Sequence, residues 1–315
     1  MIVLDDAAVL ELVGPAELVP AMRQAFLQPS FTPARFHGDL PGGDEAKLLI
    51  MPSWLGRDAL GVKVVTVNPA NVANGRPTVD GVYLLMNGQT GQTLAVMSAR
   101  ALTALRTAAV CALAASILSR RDSKVLLMMG TGVLVPHLIS AYLSVRSLER
   151  VVLWGRDAAK ASALAEKLST LPVELCVATD LTAALGAVDI ISSATLARSP
   201  LINGRRVAPG THVDLVGSFT PQMREADSEL FQRGRVFVDA GSALHESGDL
   251  IGPIADGLIS ASIPDLTDLL RDPSIGRSEE GQITIFKSVG TGLADLAAAR
   301  YVFERQRVKA SCAKL

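Results

Sequence analysis

The chain has 315 residues, 49% of them hydrophobic, and its 30 basic side chains balance 31 acidic ones for a formal net charge of −1. That length and apolar content suffice for a large core and two domains. The near-zero charge gives no electrostatic reason to expect a nucleic acid or an anionic membrane as partner, and three cysteines without CxxC spacing, Cys111, Cys176 and Cys312, argue against a disulfide framework or a structural zinc site.

The opening MIVLDDAAVLELV has no basic leader and meets Asp5-Asp6 early, so no signal peptide is expected. Nor does a later apolar run reach membrane-spanning length without a charge or a Gly/Pro break. The expectation is a soluble, cytoplasmic protein.

Asp5 or Asp6 can cap a helix through Val13, and Gly14-Pro15 precedes a second helical pattern carrying Leu18, Val19, Met22, Ala25 and Phe26. Pro29 and Pro33 end it. The pattern then turns strand-like over Ala34 to Leu40, Ala46 to Met51, Leu60 to Asn68, Gly81 to Asn87 and Gln92 to Met97, with turns at PGGDE and NANGRP. A mainly antiparallel sheet with flanking helices is predicted, followed by a long Ala-rich helix that Ser98 can cap.

From Lys124 to Asp157 the sequence reads as strand, tight turn, helix, strand. Val, Leu and Met lead into Gly130-Thr131-Gly132, an apolar-periodic segment runs to Val145, and Val151 to Trp154 ends at Gly155-Arg156. Glycines at such a turn let the backbone approach a ligand, and the free N–H groups opening the next helix favour a pyrophosphate. Val135 stands where the GxGxxG pattern wants a third small residue. Beyond it strands and helices alternate: Ala158 to Leu168 helical, Val173 to Val177 extended, a short helix capped at Thr179-Asp180, Asp189 to Ser193 and His212 to Val216 extended, Asp227 to Arg233 helical, and Val236 to Asp239 extended. That alternation predicts a doubly wound parallel sheet. After Ile283 to Phe286, Leu293, Leu296, Ala297 and Tyr301 fall at helical spacing.

Lys63 lies in the apolar strand GVKVVTV, where an ammonium needs an anion, a function, or an edge position reaching water. Arg106 has Leu102, Thr103, Ala109, Val110 and Leu113 for helical neighbours, and a buried guanidinium usually answers a carboxylate or phosphate. Arg35 enters the first strand, where a surface position is the ordinary reading. Arg156 stands where an acid would hold the ribose hydroxyls of NAD, which favours the 2′-phosphate of NADP. His37, His137, His212 and His245 have no HExxH-like spacing and there is no GxSxG elbow, so neither a metal centre nor a serine nucleophile is expected.

GVKVVTVNPAN, the run Gly81 to Ala95, LTALRTAA, the Gly130 turn, VGSFTPQMRE, FVDAG and FKSVGTGLAD occur in the order of the ornithine cyclodeaminase and mu-crystallin family, which the chain resembles over nearly its whole length. The resemblance implies a homodimer with a Rossmann-type doubly wound nucleotide domain, residues 121–292, and a discontinuous α+β substrate-binding and dimerisation domain, residues 1–120 and 293–315. It implies Lys63 as active-site lysine, and Arg35 and Arg106 as holders of the substrate carboxylate, with Met51 and Thr78 in the substrate pocket. For the cofactor side it implies Thr107, Gly130, Thr131, Gly132, Val133, Gly155, Arg156, Ser193, Thr195, Val216, Ser288 and Val289; from Arg156, NADP(H) is the expected preference and NAD(H) is possible.

Two departures bear on the reaction. The cyclodeaminase branch has an aspartate after its Val-Gly-Gly motif and a glutamate before its Leu-Met-Pro run; the matching residues here are Phe219 and Leu49. Ornithine would bring ammonium groups into a pocket lacking partners for them, at several kcal/mol for each unpaired charge, about 3–5 by the measured cost of breaking buried pairs. VGSFTPQMRE also looks like the ketimine reductases of the family. The expected activity is therefore NAD(P)H-dependent reduction of a small cyclic imino acid such as Δ1-pyrroline-2-carboxylate. Ornithine cyclodeaminase, an alanine dehydrogenase-like enzyme, and a nucleotide-dependent ligand-binding protein of the mu-crystallin kind are the alternatives.

Overall fold

The computed structural model describes residues 1–41 and 46–312. Of the PGGDE turn, residues 42–45 lie outside the described residues. The chain forms two compact units, Met1–Thr107 with Thr291–Leu315, and Ala108–Gly290.

The first unit is built on a seven-stranded sheet of β1 (Ile2–Leu4), β2 (Ser30–Phe31), β3 (Phe36–Asp39), β4 (Lys47–Leu55), β5 (Ala59–Val67), β6 (Val79–Asn87) and β7 (Thr93–Ser98). Its order is β1-β7-β6-β5-β4-β2 with β3 also on β4, antiparallel except where β1 joins β7. Alternate residues point to opposite faces. Met51, Ser53 and Leu55, Gly61, Lys63 and Val65, and Tyr83 and Leu85 occupy the covered face, on which the C-terminal helix Gly292–Cys312 packs. Ile50, Pro52, Leu60, Val62, Val64, Leu84 and Val96 occupy the other face half-buried, and Val82 there is 42% exposed.

Local chemistry sets the helix ends. Asp5 caps Asp6–Leu12 by accepting from the Ala8 N–H at 2.9 Å, and Pro15 opens Pro15–Leu27, where its missing N–H costs nothing. The helix Ala99–Leu118 is long and apolar enough to cross a membrane by length and composition, although Arg100 and Arg106 interrupt its apolar run. Its most apolar window is 83% buried within the protein, which accounts for that composition without a membrane.

The second unit carries an all-parallel sheet of β8 (Val125–Met129), β9 (Arg150–Trp154), β10 (Glu174–Val177), β11 (Ile190–Ser193), β12 (His212–Leu215), β13 (Gly234–Val238) and β14 (Ile283–Lys287), ordered β10-β9-β8-β11-β12-β14-β13. This is a Rossmann-type doubly wound fold. Strand order reverses between β8 and β11, the switch point at which such sheets hold ligands outside the carboxyl ends of the strands. A core that includes Leu127, Met129, Ile191, Val213, Leu215 and Ile285 packs beneath. The short helices Ala243–Glu246, Gly248–Ala255 and Leu266–Arg271 are additions that the sequence pattern did not predict.

Candidate active site

Lys63 is 3% exposed on β5, a central strand, so it is not an edge lysine reaching water. Across the ladder it stands opposite Met51 of β4 and Tyr83 of β6. Its Nζ lies 2.7 Å from Asp295 Oδ2, and Arg106 Nε donates to Asp295 Oδ1 at 2.9 Å. One carboxylate with no exposure, on the first turn of the C-terminal helix, thus answers two buried cations. Among the described residues, no acceptor takes the two terminal nitrogens of Arg106.

Burial drives the Lys63 amine down to about 8; Asp295 offsets part of this, and the Arg106 and Arg35 guanidinium groups add to it. Burial opposes ionisation of Asp295, yet Lys63 and Arg106 outweigh it and hold the carboxyl below its ordinary value. Tyr83 is fully buried, and burial followed by the Asp295 charge pushes its phenol well above the ordinary range, so the hydroxyl stays protonated. A Cβ at Gly61 would overlap that hydroxyl, so the glycine of the GVK motif makes room for the ring.

In the second unit, β8 ends at Gly130, whose φ of +120° suits glycine, and a Cβ there would lie 2.6 Å from the Ala194 carbonyl. Gly130 donates to Trp154 O at 2.8 Å, and Ala194 donates to Met129 O at 2.9 Å. The turn is therefore wedged into the switch point. A turn closed by Val135 N–H to Gly132 O (3.1 Å) separates Gly132 from the helix Val135–Val145. Among the described residues no acceptor takes the N–H groups of Gly132, Val133 and Leu134, and a Cβ at Gly132 would meet nothing within 4 Å. Free N–H groups beside open space fit a pyrophosphate. Val135, in the place of the third small residue, is fully buried and packs 3.8 Å from where a Gly130 Cβ would stand.

Gly155 and Arg156 follow β9; a Cβ at Gly155 would lie 2.8 Å from Thr131 Cγ2, and Arg156 is exposed. Asp157 is committed as N-cap of Ala158–Lys167, accepting from Lys160 N at 3.2 Å. Ser193 ends β11 with Thr195 beyond it, Val216 follows β12, and Ser288 and Val289 follow β14, all at the carboxyl ends of strands. Asp239 gathers the last of these, accepting from Ser288 Oγ at 2.8 Å, Val289 N at 3.1 Å and Gly290 N at 2.6 Å. Phe219 packs on the core of this unit.

Of the substrate-side residues expected from the sequence, the structure brings Lys63, Met51 and Arg106 together, with Arg35 close enough to act on the Lys63 amine. Thr78 lies further along the β5–β6 ladder, where its carbonyl accepts from Asn68 N at 2.7 Å. Thr107 is buried beside Arg106 on its helix. Asp295 and Tyr83 were not foreseen. A lone acid among Leu293, Ala294, Leu296 and Ala297 was the available signal for Asp295.

The family model described as Ornithine cyclodeaminase/mu-crystallin family matches residues 3–310. The chain is 39% identical to a Delta(1)-pyrroline-2-carboxylate reductase of Paracoccus denitrificans, covering 91% of each. Its fold matches the Thermococcus litoralis Delta(1)-pyrroline-2-carboxylate reductase in complex with NADH and L-proline at a TM-score of 0.94, with 31% identity over 98% of both chains. An archaeal alanine dehydrogenase dimer with bound NAD matches at a TM-score of 0.90 with 25% identity, over 98% of this chain and 97% of that one. The chain belongs to the ornithine cyclodeaminase/mu-crystallin family.

Proposed function

We propose that the protein reduces a small cyclic ketimine carboxylate such as Δ1-pyrroline-2-carboxylate to the L-amino acid, with a nicotinamide dinucleotide as hydride donor. The observation that carries this reading is the sharing of Asp295 between Lys63 and Arg106. An ornithine ammonium would have to compete with both cations for that carboxylate, and Leu49 and Phe219 offer no other. A cyclic imino acid asks instead for a guanidinium and a proton. Relatives that carry out this reduction support the assignment.

The terminal nitrogens of Arg106 hold the substrate carboxylate, with Arg35 assisting, and Met51 and Thr78 shape the pocket. When bound, the cofactor supplies the hydride that the imine carbon accepts. Lys63, an ammonium below about pH 8, gives the imine nitrogen its proton. The N–H groups of Gly132 and Val133, with Gly130 and Thr131 shaping the turn, receive the pyrophosphate. Thr107, Ser193, Thr195, Val216, Ser288 and Val289 complete the cofactor side. Because Asp157 is spent on its helix cap, Gly155 and Arg156 favour the 2′-phosphate of NADP(H), while NAD(H) remains usable.

Residues 1–120 with 293–315 serve substrate binding and dimerisation, and 121–292 the cofactor. The aliphatic sheet face around Val62, Val64, Val82 and Leu84 supports a homodimer, since an exposed apolar patch marks an interaction surface. The cytoplasm is the proposed site of action. The test is purified protein with NADPH or NADH against a panel of imino acids. Loss of reduced cofactor with Δ1-pyrroline-2-carboxylate supports the reading; inertness there, together with proline and ammonia from ornithine and NAD, overturns it.

A further inference from the structure

Five donors converge on one carboxylate that has no exposure. Glu225 Oε1 accepts from Ser193 Oγ at 2.6 Å and from both the N–H and the hydroxyl of Thr195 at 2.8 Å, and Oε2 accepts from Gly217 N at 2.6 Å and Ser218 N at 3.2 Å. The segment leaving β11 is thereby tied to the segment leaving β12. Their backbones touch, because a Cβ at Gly217 would overlap the Thr195 carbonyl. Glu225 is itself fixed: its own N–H and that of Ala226 donate to Asp249 Oδ1 at 2.8 and 3.2 Å. Lys287, at the end of β14 and without exposure, stands 3.4 Å from Asp249 Oδ2.

One buried cation therefore faces Asp249 and acts at longer range on Glu225 and Asp214. Such clusters rarely gain stability over apolar packing, and fixing a geometry is a better reason for their presence. An ionised carboxylate accepts from five donors at once, whereas a glutamine would turn an NH2 group toward some of them. The first of the segments so tied contains Ala194, against whose carbonyl Gly130 is wedged. They lie at the carboxyl ends of strands beside the switch point, where sheets of this kind take their ligand.

We infer that Glu225 is a positioning residue of the cofactor site, holding the segments Ser193–Thr195 and Gly217–Ser218 in the conformation that receives the dinucleotide. This rests on the reading of the second unit as the dinucleotide binder. Glu225 acts through the segments it ties, and its loss shows in cofactor affinity rather than in affinity for the imino acid.

The experiment titrates full-length protein with NADPH and NADH by nucleotide fluorescence, comparing wild type, Glu225→Gln, Thr195→Val and Asp214→Asn. Asp214 is a control from the same sheet, a buried carboxylate accepting from Tyr142 and Ser192, each at 2.9 Å. Glu225→Gln raises both dissociation constants about tenfold or more and Thr195→Val about threefold, while Asp214→Asn leaves them within about twofold. The KM for the imino acid at saturating cofactor stays within about twofold of wild type in all three. Folded Glu225→Gln that binds like wild type overturns the inference, as does equal weakening by Asp214→Asn. If Glu225→Gln does not fold, an unchanged dissociation constant in Thr195→Val overturns it. Wild type that binds neither dinucleotide overturns the functional reading itself.

Discussion

Replacing Asp295 by Asn removes the charge shared by Lys63 and Arg106 and leaves two cations buried together. Breaking a buried ion pair from one side costs about 3–5 kcal/mol, a large part of the roughly 5–15 kcal/mol that holds a domain folded. The kinetic effect is more diagnostic. At 2.7 Å and an effective dielectric of about 20, Asp295 attracts the ammonium by about 6 kcal/mol. If only a third of that is lost as the variant relaxes, the Lys63 amine falls by about 1.5 units, at roughly 1.4 kcal/mol per unit. The ammonium is the form that reduction uses, so the rate is full below the amine's pKa and lost as pH rises through it. In the wild type that decline is centred at about 8; in Asp295→Asn it moves into the acid side of neutrality. The assay is initial-rate oxidation of NADPH by Δ1-pyrroline-2-carboxylate across this pH range, on protein shown folded by circular dichroism. A folded variant whose decline stays near the wild-type position would refute the assignment of that limb to Lys63.

Arg156→Ala should lower the preference for NADPH over NADH by about tenfold, the weight of one charge-assisted phosphate contact; equal kcat/KM ratios in the two proteins would leave Arg156 a surface residue. Lys287→Met strands the Glu225 and Asp249 carboxylates without their cation, and denaturant titration at neutral pH should show a loss of about 3–5 kcal/mol. Since burial already raises the Glu225 carboxyl, that loss shrinks as pH falls and the group takes up its proton. Gly61→Ala forces a methyl into the Tyr83 hydroxyl and ring edge, and an overpacking loss of about 1–3 kcal/mol is expected by thermal melting; Tyr83→Phe should relieve only part of it, because the ring atoms Cζ and Cε1 would still stand 2.6 and 2.8 Å from the methyl. Val82→Lys on the aliphatic sheet face should shift the protein to monomer in sedimentation; an unchanged mass would place the dimer contact elsewhere.

The parallel sheet was legible because each of its strands is a short apolar run between helix caps that declare themselves, such as Asp157, Asp180 and Asp227. The antiparallel sheet was legible from two-residue alternation and Gly/Asn punctuation. Helices between 243 and 271 were not, because elements of 4 to 8 residues complete too few turns to establish a period, and Gly252 and Pro253 interrupt the longest. Lys63 and Arg106 stood out as charges in apolar company. Their counter-ion did not, since nothing in local periodicity joins Arg106 to a residue 189 positions later. The start of the helix after Gly132 was left open by the pattern, because the turn from Gly132 to Val135 leaves no mark in composition.

The place of Asp295 in the chain has a consequence for synthesis. Lys63 and Arg106 leave the ribosome first, then the whole of the contiguous unit Ala108–Gly290, and the carboxylate both cations require comes with the closing helix. Domains generally fold as they emerge. The nucleotide-type unit can therefore close on a tethered chain while the first sheet still lacks its counter-ion and the helix that covers it. A chain truncated after Gly290 should thus protect the second unit from protease and leave β4 to β6 open to cleavage, so that the chemistry of Lys63 waits for Asp295.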